Sequence, residues 1–350
     1  MRRANILAPL ALALLGAANS HATTIFNITG TMGNAQADAA FSAATGLWSS
    51  ILLDNVTVNL QIGFQSFSAG VLAATTNNFT NYTYTQLRNA LINDATSTDD
   101  TTAVAFLPSG TGVSMLLNYT SNSPNGSGSS TAYVDNDGDA NNTTAHISNA
   151  NARALGLLGA SSAVDGSIDF NSTGGFTWDY DPSDGITPGT YDFVGIMAHE
   201  IGHLLGFVSG VDILDTNSTT TFFADNVFTY RSVLDLYRYS AASFASGVND
   251  WTAGASAKYF SINGGTTSLG TFSTGTVHGD GRQASHWQDN LGIGIMDPTA
   301  AAGENLHISG LDIRALDVIG WNITTVPEPA SLALALAGLI GIFAAKRKRA

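Results

Sequence analysis

The sequence predicts an α+β fold, on three observations. Val56 to Phe64 (VTVNLQIGF) alternates apolar and polar residues with the period of a half-buried strand, and Ala163 to Asn171 (AVDGSIDFN) sets Ile168 and Phe170 on one face in the same way. Phe193 to Leu205 is instead apolar nearly all round, as a buried helix is. The chain has 350 residues. Without its two ends it keeps roughly 300, enough to bury a full core as one large domain or two lobes.

Composition narrows the function. Only 11% of residues are charged, where a soluble domain carries about 25%. Six of the 13 basic residues (Arg2, Arg3, Lys346, Arg347, Lys348, Arg349) sit at the termini, so residues 23–326 hold 7 basic against 26 acidic groups. Phosphate backbones and anionic lipid surfaces repel such a body, which excludes a nucleic-acid partner. The absence of cysteine removes thiol nucleophiles, thiolate metal sites and disulfides. A metal here must be held by His, Asp or Glu. The chain has neither a Gly-x-Ser-x-Gly elbow nor a Gly-rich phosphate loop.

The two ends read as addresses. Met1-Arg2-Arg3, the apolar run Ile6 to Ala18 and then Ser20-His21-Ala22 have the order of a secretory signal peptide cleaved after Ala22. At the other end Val326-Pro327-Glu328-Pro329 precedes an apolar stretch from Ala330 to Ala345 and the basic run Lys346 to Arg349. That order predicts a membrane helix with a positive cytoplasmic stop, short for a permanent span. The tail resembles the PEP-CTERM sorting signal of Gram-negative bacteria. The resemblance implies transient anchoring in the inner membrane, an exosortase-type processing enzyme as partner, and release to the cell surface or outside. A simple C-terminal anchor is the alternative.

Between the addresses, residues 23–160 are expected to form an N-terminal lobe, either a propeptide or an upper subdomain, with helices at Phe41 to Ile51 and Thr85 to Ile92. Ser121 to Ser130 (SNSPNGSGSS) is expected as a surface loop. Asp135, Asp137 and Asp139 alternate within DNDGD as in loops that hold Ca²⁺, but Ala140 and His146 stand where an EF-hand needs Gly and Glu. Calcium is therefore a second candidate cofactor. Asp179, Asp181 and Asp184 form a similar acidic run, for which a solvated loop is the competing reading.

Residues 199–203 are His-Glu-Ile-Gly-His. Positions i and i+4 of a helix share a face, so His199 and His203 can reach one Zn²⁺, with Glu200 beside its open coordination position. Asp192 is expected to cap this helix and Gly206 to end it. A catalytic zinc needs a third protein ligand. The extended pattern His-Glu-x-x-His-x-x-Gly-x-x-His fails at Ser209, leaving Asp212, His278, His286 and His307 as candidates. The neighbourhood favours His286: Ser285-His286-Trp287 is followed by Met296-Asp297-Pro298.

HEIGHLLGF, a long insertion, SHW and then IMDP together resemble the metzincin zinc proteases, most closely the leishmanolysin-like branch. The resemblance covers roughly residues 160–321. It implies His199, His203 and His286 as metal ligands, Glu200 as general base, Gly206 as the helix-ending glycine and Met296 as the methionine of the turn beneath the metal. It implies a twisted sheet with the active-site helix on the floor of a cleft, a smaller C-terminal lobe, and a catalytic region over residues 161–325. Ser309 to Trp321 (SGLDIRALDVIGW) is similar to the last helix of such domains, and His307 is expected at its start. Pro298 stands where some metzincins carry a tyrosine donor.

The expected function is an exported zinc endopeptidase acting on a protein or peptide substrate, with an extended peptide pairing onto an edge strand near Ile168. An inactive surface or matrix protein with a relic zinc helix, and a zinc amidase acting on cell-wall material, are the alternatives.

Overall fold

Mixed strands and helices build several small sheets, and the largest carries the site. It runs in the order Ile25–Thr29, Thr57–Gln65, Gly166–Asn171, Ala73–Asn77, the first three parallel and the last antiparallel. The computed structural model describes residues 23–324, so the signal peptide expected over 1–22 and the sorting tail expected over 326–350 lie outside the described residues. Among the described residues no helix is long and apolar enough to cross a membrane.

Strand side chains alternate between faces, and Thr57–Gln65 accordingly buries Val58, Leu60 and Ile62 on one face while Thr57 and Gln61 on the other are exposed. Asn59, also buried, satisfies its amide by donating to Ser161 O at 2.8 Å. In Gly166–Asn171, Ile168 and Phe170 share the buried face. The expected edge strand near Ile168 is interior instead, since Ile168 pairs with Ile62 on one side and Thr75 on the other. Ile25–Thr29 is one edge of the sheet and Ala73–Asn77 is the other. Its sequence, Ala-Ala-Thr-Thr-Asn, has no apolar alternation because an edge strand need bury little. Strands from both sides of residue 160 share this sheet.

The helix Ala35–Ser49 packs against the helix Phe193–Leu204 that bears His199 and His203, and Trp48 Nε1 donates to Ala198 O at 2.9 Å. It begins six residues before the expected Phe41, where Asn34 caps it by accepting from Gln36 N at 3.0 Å. Its first turn is built on helix propensity rather than an apolar stripe. Tyr84–Asp94 covers the expected second helix and starts from a Thr83–Gln86 capping box. The last helix, Gly310–Val318, is capped by Ser309. His307 is exposed and precedes it, a correction of one turn, because only Ser309 has a hydroxyl placed to accept from Leu311 N and Asp312 N.

The main core gathers Phe41, Trp48, Phe170, Phe193, Phe207, Trp287 and Trp321. A second, smaller core forms under the sheet Asn249–Asp250, Met115–Leu117, Tyr133–Asp135, from Met115, Leu117, Val211, Leu214, Phe228, Trp251 and Ala284. Residues 121–130 run as successive turns on this lobe.

Candidate metal centre

Local sequence explains the helix that presents the first two histidines. Asp192 Oδ1 accepts from Gly195 N at 2.8 Å and fixes the start, while Asp192 Oδ2 accepts from Leu306 N at 3.0 Å and ties the helix to the C-terminal region. Gly206, at φ +114°, takes a conformation that L side chains avoid, and Phe207 N closes back onto Gly202 O at 3.0 Å. That reversal brings Phe207 O to 2.8 Å from His203 Nδ1. Gly202 has a separate role, since a Cβ there would meet Met296 Sδ at 2.4 Å. The methionine thus sits directly beneath the helix.

His199, His203 and His286 converge. His203 Nε2 stands 3.1 Å from His199 Nε2 and 3.1 Å from His286 Nε2. In each ring the other nitrogen faces a backbone carbonyl: His199 Nδ1 on Ile295 O at 2.7 Å, His203 Nδ1 on Phe207 O at 2.8 Å, His286 Nδ1 on Gln283 O at 3.3 Å. A carbonyl only accepts, so each Nδ1 carries the proton, and in the neutral ring Nε2 then turns its lone pair inward. Burial pushes the His203 imidazole down to about 3 and His286 well below its ordinary value, so both stay neutral. Three lone pairs facing one another repel unless a cation lies between them. Ligands at about 2.0–2.1 Å from a tetrahedral zinc stand about 3.3 Å apart, close to the observed spacing. The donor set therefore fits a metal ion, and neutral imidazoles suit zinc among others.

Glu200 is buried beside the trio, and desolvation raises its carboxyl above the ordinary range. Thr75 of the edge strand reaches it, with Oγ1 at 2.7 Å from Glu200 Oε2 and 2.8 Å from Glu200 O. A cleft of about 680 Å³ opens here, bounded by the edge strand through Ala73, Thr75 and Asn77, by the three histidines and Glu200, and by Arg282 and Pro298.

Three aspartates, Asp212 half-buried and Asp235 and Asp312 buried, hold the backbone that orients the rings. Asp212 was a rival third ligand in the sequence. Its carboxylate instead accepts from Ala284 N at 2.6 Å, Ser285 N at 3.2 Å and the Ser285 hydroxyl, fixing the segment that presents His286. Burial pushes Asp212 up to about 6. Asp312 accepts from Ile295 N at 2.8 Å, Met296 N at 3.3 Å and Trp287 Nε1 at 2.8 Å, fixing the turn whose Ile295 O receives His199. Asp235 accepts from Ser209 Oγ at 2.6 Å and Gly210 N at 2.9 Å, just after the helix. Ser209, where the extended motif would place a histidine, thus belongs to this support. Sequence reasoning missed Thr75, Asp235 and Asp312, because a supporting hydrogen bond leaves no spacing pattern.

The other candidates lie elsewhere. His278 donates through Nε2 to Ser218 O at 2.7 Å and stacks on Tyr119 at 4.0 Å. Asp179 and Asp181 accept from backbone N–H groups of their own loop, as in Thr187 N to Asp179 Oδ2 at 2.8 Å and Ser183 N to Asp181 Oδ1 at 3.1 Å, and Asp184 closes the short 3₁₀ turn Pro182–Asp184. Of the Asp135, Asp137 and Asp139 trio, Asp139 turns away to cap the following helix through Asn141 N at 3.2 Å. Asp225 takes its place.

Comparison with known proteins bears on the tail. Residues 325–349 match the PEP-CTERM protein-sorting motif, the mark of an exported, exosortase-sorted cell-surface protein. No curated protein and no solved structure matches the chain.

Proposed function

We propose that the protein is an exported zinc endopeptidase with a metzincin-like fold, in which His199, His203 and His286 hold the metal and Glu200 is the general base. The observation that carries this reading is the convergence of three Nε2 lone pairs, each fixed inward by a carbonyl behind its ring, next to a buried carboxylate at the edge of a sheet. When bound, zinc supplies Lewis acidity toward a substrate carbonyl and makes water acidic enough to yield hydroxide near neutral pH. Glu200 takes the proton from the attacking water and returns it to the leaving amine. Thr75 holds Oε2, which keeps Oε1 for that proton.

The edge strand supplies the substrate class. Ala73–Asn77 lines the cleft and has one side without a partner strand among the described residues, so an extended peptide can continue the sheet and lay its scissile carbonyl against the histidines. In this reading residues 23–160 are the upper part of the same fold rather than a detachable propeptide, since they contribute three strands of the sheet. The signal peptide and tail deliver the enzyme outward, with the tail anchored in the inner membrane until processing.

Metal analysis together with casein cleavage tests the proposal. Glu200→Gln should keep zinc and lose turnover by about 10²–10⁴-fold, whereas His286→Ala should lose both. Zinc without turnover in the unaltered chain would mean a relic site. Turnover of peptidoglycan but not of casein would mean an amidase. Retained zinc and activity in His286→Ala would overturn the ligand set.

A further inference from the structure

We infer that Asp135, Asp137, Asp225 and the side-chain carbonyl of Asn141 form a calcium site in the second lobe, independent of the histidine centre. The three carboxylates bring oxygens within 4.8 Å of one another. Asp135 is 3% exposed and Asp225 4%, yet neither meets a Lys or Arg in a salt bridge among the described residues. Two carboxylates buried side by side without a cation are costly. The neighbouring guanidinium of Arg231 does not answer them. It donates to the backbone carbonyls Asn141 O at 3.1 Å, Asn142 O at 3.0 Å and Thr144 O at 3.1 Å.

Asn141 is the independent sign of a ligand. Its side chain is fully buried, and its Nδ2 lies 2.7 Å from Asp135 Oδ2 while Oδ1 of the same carboxamide has no hydrogen-bond partner. A half-turn about χ2 exchanges the two atoms. Oδ1 then stands where Nδ2 is, at the spacing of adjacent oxygens around one hard cation, about 2.8 Å for bonds of about 2.4 Å. The remaining oxygens are partly engaged in ways that orient them. Asp225 Oδ1 accepts from Asn122 Nδ2 at 2.7 Å and Asn226 N at 2.8 Å, and Asp225 Oδ2 accepts from Tyr133 OH at 3.1 Å. Asp137 Oδ1 accepts from Asp139 N at 3.1 Å, which leaves Oδ2 for the ion.

The chemistry selects the ion. An all-oxygen set excludes soft metals, and three carboxylates with an amide oxygen suit Ca²⁺ better than Mg²⁺, which keeps several waters and uses one or two carboxylates. The site joins the 135–141 loop to residue 225, far apart in the chain, so the ion acts as a staple closing a long loop. From Asp225 the chain runs through Arg231 and Ser232 to Asp235, which holds the exit of the active-site helix.

The test uses the full chain with zinc held constant. After treatment with EGTA, returning Ca²⁺ well above a Kd of roughly 0.1–1 mM, the range of extracellular modules, should raise Tm by about 2–4 °C, with Mg²⁺ doing less. Tb³⁺ should bind in its place, lit by Tyr133, and be displaced by Ca²⁺. Asp225→Asn should abolish both signals. Asp137→Asn, at an exposed position that threatens no fold, should weaken Tb³⁺ binding about tenfold. Absence of both signals in the unaltered chain would overturn the proposal, as would signals unchanged in both variants.

Discussion

The histidine and aspartate groups of this chain solve opposite electrostatic problems. Each imidazole has its direction set from behind by a carbonyl, in segments held by Asp212, Asp235 or Asp312. Asp135, Asp137 and Asp225 are carboxyl groups drawn from separate segments, two of them buried, with no Lys or Arg in a salt bridge to them among the described residues. A nitrogen cage of this kind is organised before any ion arrives. In the calcium reading proposed above, an oxygen cage of the second kind would gain its order from the ion. Supporting residues should therefore govern affinity and turnover in the first group, and stability in the second.

The largest effect that sharpens this contrast is the separation of chemistry from binding by Glu200→Gln, described above. Asp212→Asn should come next: with one oxygen turned to a donor it can no longer serve Ala284 N and both Ser285 groups, and metal affinity should fall about 10–100-fold with the helix content unchanged. Competition with a zinc indicator measures it, and unchanged affinity would show that His286 holds its place unaided. Thr75→Val should lower turnover about 2–12-fold, the value of one ordinary hydrogen bond, and leave bound zinc constant. A fall in zinc would instead make the edge strand part of the metal scaffold.

The smallest effect concerns a third set of carboxylates, which crowd around Asn322 without converging on an ion position. Asn322 Nδ2 donates to Asp54 at 3.2 Å and Asp94 at 3.1 Å, and Ser97 Oγ donates to Asp317 at 2.6 Å. Burial, joined by the charge of its neighbours, pushes Asp94 and Asp317 up to about 7; burial pushes Asp54 up to about 6. An acid raised in the folded state binds its proton more tightly there, so this set costs stability above about pH 7 and the cost fades as pH falls toward the ordinary carboxylate range. Asp94→Asn should raise Tm by about 1–2 °C more at pH 8 than at pH 5, where only part of the cost remains. Thermal melts at the two pH values decide it, and an equal shift at both would remove charge as the cause.

What was legible followed the range of the cause. The helix bearing His199 and His203, its Asp192 cap and its Gly206 stop are written in contiguous residues, and the structure has all three. His286 could be singled out because Trp287 and Met296 stand near it in the chain, and its ring does meet the pair on the helix. The edge strand escaped because Ala-Ala-Thr-Thr-Asn has no period to detect, so the peptide-pairing edge fell to its interior neighbour around Ile168. Asp212 looked like a ligand because a carboxylate reads the same whether it accepts from backbone or from metal. Asp225 was invisible to a local pattern: Asp135 and Asp137 supply the alternation, and the third oxygen comes from a segment distant in sequence.

The far end of the body has a mechanical consequence. Leu53 N donates to Asn322 O and Thr324 N to Ile51 O, each at 2.8 Å, while Asp54 accepts from Asn322 N at 2.9 Å. These bonds rivet the last described residues to the segment that follows the first long helix. A load entering from the tail would meet that rivet before it reached the histidines. Severing the chain past Thr324 would cut none of these bonds, so a sorting enzyme could detach its handle and leave the cargo intact.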